Sequence, residues 1–274
     1  MEELGFREDQ ILERPIFIVG FPRSGTTWVY DILKAHPHTA GVLESWLFTP
    51  NAGLAALFME HHWPARQTGL GQLISEDELA SEVRQFAQNI FRRVLKPVHQ
   101  ILVEKSPSHL SAMPIIRRVF PQARFIHIIR DGRDVSVSVL NAARSWAPQW
   151  KKSSFGSSLL ACARSWERVL REGRLFGCSL GEDYLEIRYE ELERNSYEAI
   201  QTLYRFCGLA FDDSLLKESI RKTDFKLNHR PDSKGFHRLG RSGDWKENFN
   251  PLDSILFDIA AGALLKELGY KAGR

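Results

Sequence analysis

The chain has 274 residues, 43% hydrophobic and 26% charged, the balance of an ordinary globular protein; a disordered tail, a collagen-like repeat and a coiled coil are excluded. A chain this long buries about three-quarters of the surface it exposes when unfolded, so its core needs neither disulfides nor a metal. Lys and Arg exceed Asp and Glu by only 37 to 34, yet residues 117–174 hold twelve of the former and four of the latter, a basic middle that suits an anionic ligand.

Residues 15–20, PIFIVG, read as a short strand ending in glycine, and 25–35 as a helix closed by His36-Pro37. A long helix is predicted over 76–96, with Leu79, Val83, Phe86, Ile90 and Val94 on its buried face and a Ser75–Glu78 capping box. ILVE, 101–104, is a second strand, and 108–119 a helix ended by Pro121. RFIHII, 124–129, is the clearest buried strand, followed by helices over 132–144 and 157–176. YLEIRY, 184–189, is a further strand, then come a helix over 190–207, a polar loop over 224–244 and a last helix over 252–268. Alternating strands and helices, without repeat or linker, predict a single α/β domain over 1–274, with its core at about 15–250. Its sheet should be mostly parallel with helices on both faces. Ligand-binding groups then belong just after 20, 104, 129 and 189, at the C-terminal strand ends.

No stretch approaches the ~18 apolar residues of a bilayer span, and MEELGFREDQILER lacks the basic start and apolar run of a signal peptide. Cys162, Cys178 and Cys207 are odd in number and far apart, with neither disulfide nor zinc spacing. A cytoplasmic protein is expected, with no membrane, nucleic-acid or metal partner.

After the first strand, Gly20-Phe21-Pro22-Arg23-Ser24-Gly25-Thr26-Thr27-Trp28 matches the phosphate-loop spacing, except that Thr26 stands where lysine belongs. Glycines let backbone N–H groups curl inward, and the following helix adds its N-terminal partial charge. The cation is Arg23 instead, three residues earlier, which fits a phosphate better than ATP with Mg²⁺. A second anion site is read from RFIHIIRDGRDVSVSVL: Arg130 at the strand end could grip a phosphate by a bidentate pair, and Ser138, about two helical turns on, could add a hydroxyl. The plainer alternative pairs Arg130 with Asp134.

FPRSGTTW, IIRDGRDVSVS and RLGRSGDWKENF, in this order, together resemble the sulfotransferases that use 3′-phosphoadenosine 5′-phosphosulfate, over roughly residues 15–250. The resemblance implies a phosphate-loop-like fold and that Arg23, Ser24, Gly25, Thr26 and Thr27 contact the 5′-phosphosulfate. It lays Trp28 and Tyr189 against the adenine, and Arg130 and Ser138 on the 3′-phosphate. Thr223 and Phe225 fall on a T-x-F element near the base, and Arg238 and Gly240 on a loop that closes over the 3′-phosphate, with leucine where soluble members often have lysine. The donor has an anion at each end, which accounts for two anion sites without the usual lysine. Arg23 is placed to stabilise charge on the leaving oxygen, with Lys105 a second cation. In Glu104-Lys105-Ser106-Pro107-Ser108-His109 no histidine occupies the place of the K-T-H base of many soluble members, so Glu44, after the first helix as in tyrosylprotein enzymes, is the expected base and displaced His109 the lesser candidate.

Trp46, Phe48, Phe58, Trp63, Trp146 and Trp150 lie between the motifs and offer an acceptor pocket or core packing. The acceptor, a small molecule, carbohydrate or peptide bearing a hydroxyl or amine, stays open. So do two rivals: a kinase or nucleotidase using ATP with Mg²⁺, and a module that binds an adenine nucleotide without turnover.

Overall fold

The computed structural model describes residues 2–58, 69–223 and 241–271, with side chains from residue 8 onward. Strands β1 (Ile16–Val19), β2 (Thr39–Leu43), β3 (Ile101–Lys105), β4 (Arg124–Ile129) and β5 (Tyr184–Arg188) form one sheet in the order β2-β3-β1-β4-β5. Every pairing is parallel. All four β1 residues are buried, as expected of a central strand covered on both faces. Side chains alternate between faces: Ile16 and Ile18 face one cluster with Val103, Ile126 and Ile128, while Phe17 and Val19 face the other with Leu102 and Phe125. The first cluster is closed by α2 (Thr26–Ala35), α7 (Tyr189–Arg194), α8 (Ser196–Cys207) and α9 (Asp213–Thr223). The second is closed by α3 (Glu76–Phe91), α4 (Met113–Val119), α5 (Gly132–Arg144), α6 (Leu159–Cys178) and the C-terminal helix Pro251–Glu267. The architecture is thus the expected parallel α/β sheet with helices on both faces.

Among the described residues, the longer elements not expected from the sequence are α1 (Glu2–Glu13), β2 and α9, alongside a short helix at Trp245–Asn248 and several 3₁₀ turns. The run TAGVL owes its strand state to pairing with β3 from Thr39↔Ile101 to Leu43↔Lys105, a tertiary contact that overrides weak local preference. The expected helix over 108–119 begins as a 3₁₀ turn, Pro107–Ala112, and the one over 190–207 breaks at Asn195.

The α3 capping box forms as read, with Ser75 Oγ accepting the Glu78 N–H. Its buried face differs. Leu79, Ala80, Val83, Ala87 and Phe91 turn inward, whereas Phe86, Ile90 and Val94 are 50%, 38% and 37% exposed. The sequence is apolar on two sides of this helix, and the side with small alanines is the one that packs closely against α4. Among the described residues, no helix is long and apolar enough to cross a membrane.

Candidate active site

β1 ends in the middle of the sheet, and the chain turns through Gly20–Gly25 into α2. Arg23 and Gly25 both adopt left-handed backbone, φ 71° and 101°, which curls the loop around its own amides. A Cβ on Gly25 would lie 2.5 Å from the Tyr189 ring, so only glycine fits there. α2 starts at Thr26 with Gly25 as its cap and no acidic residue in its first turn, leaving its positive end facing the loop. Ser24 is buried and its hydroxyl has no partner among the described residues. A buried polar group in that state costs stability unless something binds it, so this loop fits a ligand with acceptor oxygens.

The two anion sites read from separate motifs meet here. Arg23 Nε donates to Ser138 Oγ of α5 at 3.1 Å, and its guanidinium lies 5.5 Å over the Trp146 ring. Arg130, at the end of β4, donates to the Arg23 carbonyl at 3.4 Å and to the Arg241 carbonyl at 3.0 Å, and stacks 4.1 Å over the Tyr189 ring. Arg130 does not take Asp134 as its ion-pair partner: the Asp134 carboxylate accepts the N–H groups of Gly243 and Trp245 at 2.7 and 2.8 Å. Burial pushes the Asp134 carboxyl up against the pull of Arg130 and these two donors. Arg130 Nε and Trp28 Nε1 are buried, and neither has a hydrogen-bond partner among the described residues. Trp28 packs edge-on against Tyr189 at 5.3 Å, and burial pushes the Tyr189 phenol up to about 12. Asp131, the strand-end carboxylate a metal-dependent loop protein would use, is spent on capping α5 and on a 2.7 Å pair with Arg133.

On the other side of β1, register Ile18↔Lys105 brings the end of β3 beside the loop. Lys105 is 1% exposed, and its Nζ donates to Glu44 Oε1 at 2.5 Å. The Glu44 side chain is 38% exposed, so the carboxylate is fixed at one oxygen yet open to solvent. His109 is fully buried between Phe17 and Phe48, its Nδ1 2.9 Å from Glu104 Oε2. It therefore belongs to the core and does not face an acceptor.

The remaining predicted residues are not gathered. Thr223 ends α9, buried, with its hydroxyl donating to the Ser219 carbonyl; no described contact joins it to the loop. Phe225, Arg238 and Gly240 lie outside the described residues, as does Trp63. Phe48 is core, whereas Trp46 is 53% exposed. Trp146, Trp150, Phe155 and Phe21 form a chain of edge-on rings leading to the loop. Sequence reasoning missed Glu104 and Glu193. Glu104 was hidden as the last letter of an apolar strand. Glu193 accepts the Ser242 N–H at 3.1 Å and its hydroxyl at 2.5 Å, anchoring the segment beside Arg241.

The profile of the Sulfotransferase family matches residues 15–213, so the chain belongs to that family. It is 26% identical over 205 residues to protein-tyrosine sulfotransferase 1 of Danio rerio, covering 73% of this chain and 55% of that protein. The chain spans about half the length, or less, of several of the relatives it matches. A mouse sulfotransferase crystallised with PAP shares the fold, at a TM-score of 0.59 with 19% identity, covering 98% of this chain and 93% of that one. So does a sulfotransferase domain from the curacin biosynthetic pathway, at 0.57 with 19% identity and 95% and 99% coverage.

Proposed function

We propose that this chain transfers a sulfuryl group from 3′-phosphoadenosine 5′-phosphosulfate to a hydroxyl or amine acceptor, in line and without a metal, leaving adenosine 3′,5′-bisphosphate. The observation behind this reading is the meeting, across the C-terminal end of β1, of a glycine loop, Arg130 and a Lys105–Glu44 pair, where the buried Ser24 hydroxyl and Arg130 Nε have no hydrogen-bond partner among the described residues. In this reading the loop amides, Ser24, Thr26 and Thr27 hold the 5′-phosphosulfate. Arg130 and Ser138 hold the 3′-phosphate, with Arg238 and Gly240 joining them. Trp28 and Tyr189 wall the adenine, with Thr223 and Phe225 near it. Membership of the family and the PAP in the mouse relative's structure support the donor.

The S–O bond to the 5′-phosphate breaks as the acceptor oxygen bonds sulfur, and the acceptor proton passes to the Glu44 carboxylate. Arg23 stabilises the charge left on the phosphate oxygen, and Lys105 the sulfuryl oxygens, so positioning and electrostatics do most of the work. The Danio rerio relative is named for protein tyrosine, which makes a phenolic hydroxyl a leading candidate acceptor. The test is transfer of label from [³⁵S]-labelled donor, in EDTA, to a panel of phenols, aliphatic alcohols, sugars, amines and a tyrosine peptide. Labelled product from any of these is expected. No transfer to any of them, with phosphoryl transfer from ATP and Mg²⁺ instead, would overturn the proposal.

A further inference from the structure

The stretch Glu104–His109 offers no exposed base, yet nearly every residue in it grips the backbone or side chains of residues 44–49. The Glu44 N–H donates to the Lys105 carbonyl at 2.7 Å. Ser45 donates to Glu104 Oε1 twice, through its N–H at 3.1 Å and its hydroxyl at 2.7 Å. The Trp46 N–H reaches Ser106 Oγ at 3.4 Å, and the Phe48 N–H donates to His109 Nε2 at 3.1 Å. Thr49 and Ser108 join through their hydroxyls at 3.3 Å. Glu104 is the centre of this set. It is 0% exposed, and the same Oε1 also accepts the Ser106 hydroxyl at 2.7 Å. Because His109 Nε2 accepts from Phe48, the ring proton sits on Nδ1, facing Glu104 Oε2.

The gripped segment is strained. Glu44 and Trp46 flank Ser45 with φ of 52° and 59°, the left-handed region that residues with a Cβ avoid. Strain of this kind persists only where the surroundings over-determine it, and here the over-determining group is a buried carboxylate with three donors from serines. Burial alone would raise its pKa; His109 and the serine donors outweigh that and hold it below the usual carboxylate range.

We infer that Glu104, oriented by His109, is a positioning residue: it holds Ser45 so that Glu44 keeps its left-handed backbone and its carboxylate stays against Lys105. This inference rests on Glu44 acting as the base. Glu104→Gln removes the charge and sets an amide N–H or a weaker acceptor against His109.

The test measures turnover of Glu104→Gln, Glu44→Gln and the double variant, using a nitrophenol and an aliphatic alcohol that the labelled-donor panel shows to be acceptors. Glu104→Gln should lower kcat by about tenfold or more with donor KM and the thermal shift from adenosine 3′,5′-bisphosphate unchanged. The loss should be larger for the alcohol, whose proton is harder to remove, and should vanish in the Glu44→Gln background. A loss equal for both acceptors, or one that multiplies with Glu44→Gln, makes Glu104 merely structural and overturns the inference. If Glu104→Gln does not fold, Ser45→Ala removes one donor from the same carboxylate and should show the same non-additivity at about threefold to tenfold; an additive loss counts against the inference. Failure of the base assignment shows itself differently, as full activity of Glu44→Gln. Amide hydrogen exchange then judges the clamp alone: protection at Ser45 and Phe48 must fall in Glu104→Gln or Ser45→Ala relative to β1 and β4, and unchanged protection would overturn it.

Discussion

The loop at 20–28 and the segment at 43–49 both leave the C-terminal edge of the sheet, and both use left-handed backbone, at Arg23 and Gly25 in one and at Glu44 and Trp46 in the other. They are held by different means. The loop takes its turn from Gly25 and its partial charge from the start of α2, both adjacent in sequence, while Arg130 at the end of β4 and Ser138 of α5 hold the left-handed Arg23. The segment at 43–49 has no glycine at its strained positions and is held by residues about sixty positions away, at the end of β3. Binding an anion needs mostly backbone, which local sequence can specify. Placing a base needs one side chain at one point, which only the folded sheet can specify.

The largest effect should separate the two regions outright. Glu44→Gln keeps the size and hydrogen bonding of the side chain but cannot take a proton, so turnover should fall by about 10²–10⁴ while bisphosphate binding stays near wild type. Steady-state kinetics beside calorimetry checks this, and a matching loss of binding would merge the two regions into one.

The sheet interior gives a control lying in neither region. Burial holds His127 down from 6.5 to about 4, with its Nδ1 2.6 Å from the Tyr184 hydroxyl. Between these values the unfolded chain binds a proton that the folded chain refuses, so stability rises with pH across the window. His127 should therefore remove about 3 kcal/mol as pH falls from above 6.5 towards 4. Denaturant melts across that range should show wild type losing about 3 kcal/mol more stability than His127→Phe; parallel losses would assign acid sensitivity to another group.

Arg130→Ala tests the anion side. It should weaken bisphosphate binding by about 2 kcal/mol and leave the rate at saturating donor less affected. Unchanged affinity in a titration would reduce Arg130 to a clamp on Arg241. The smallest effect concerns the other side. Trp46 is half exposed and strained, so Trp46→Gly should be neutral or stabilising by up to about 1 kcal/mol in thermal melts. A clear destabilisation would mean that the ring is packed and not presented.

The same contrast explains what could be read from sequence. β1, β4, the glycine loop and Arg130 were legible because unbroken apolar runs and spaced glycines have few other uses. Glu44 was reached only through family resemblance, and nothing local announces that Lys105 pairs with it. β2, which delivers Glu44 to the site, was missed because its strand state comes from β3. Glu104 was missed, and His109 was read only as a lesser base candidate, for a related reason: nothing in the local sequence shows that this buried carboxylate and imidazole hold the backbone of residues 45–48.

The central claim is that one sheet edge binds a nucleotide with an anion at each end. Isothermal titration of the full chain in EDTA with adenosine 3′,5′-bisphosphate and with AMP tests it most directly. The bisphosphate should bind about 30-fold tighter or more, the worth of one charged pair at Arg130. Equal affinities for the two, or binding of ATP that appears only with Mg²⁺, would contradict the account.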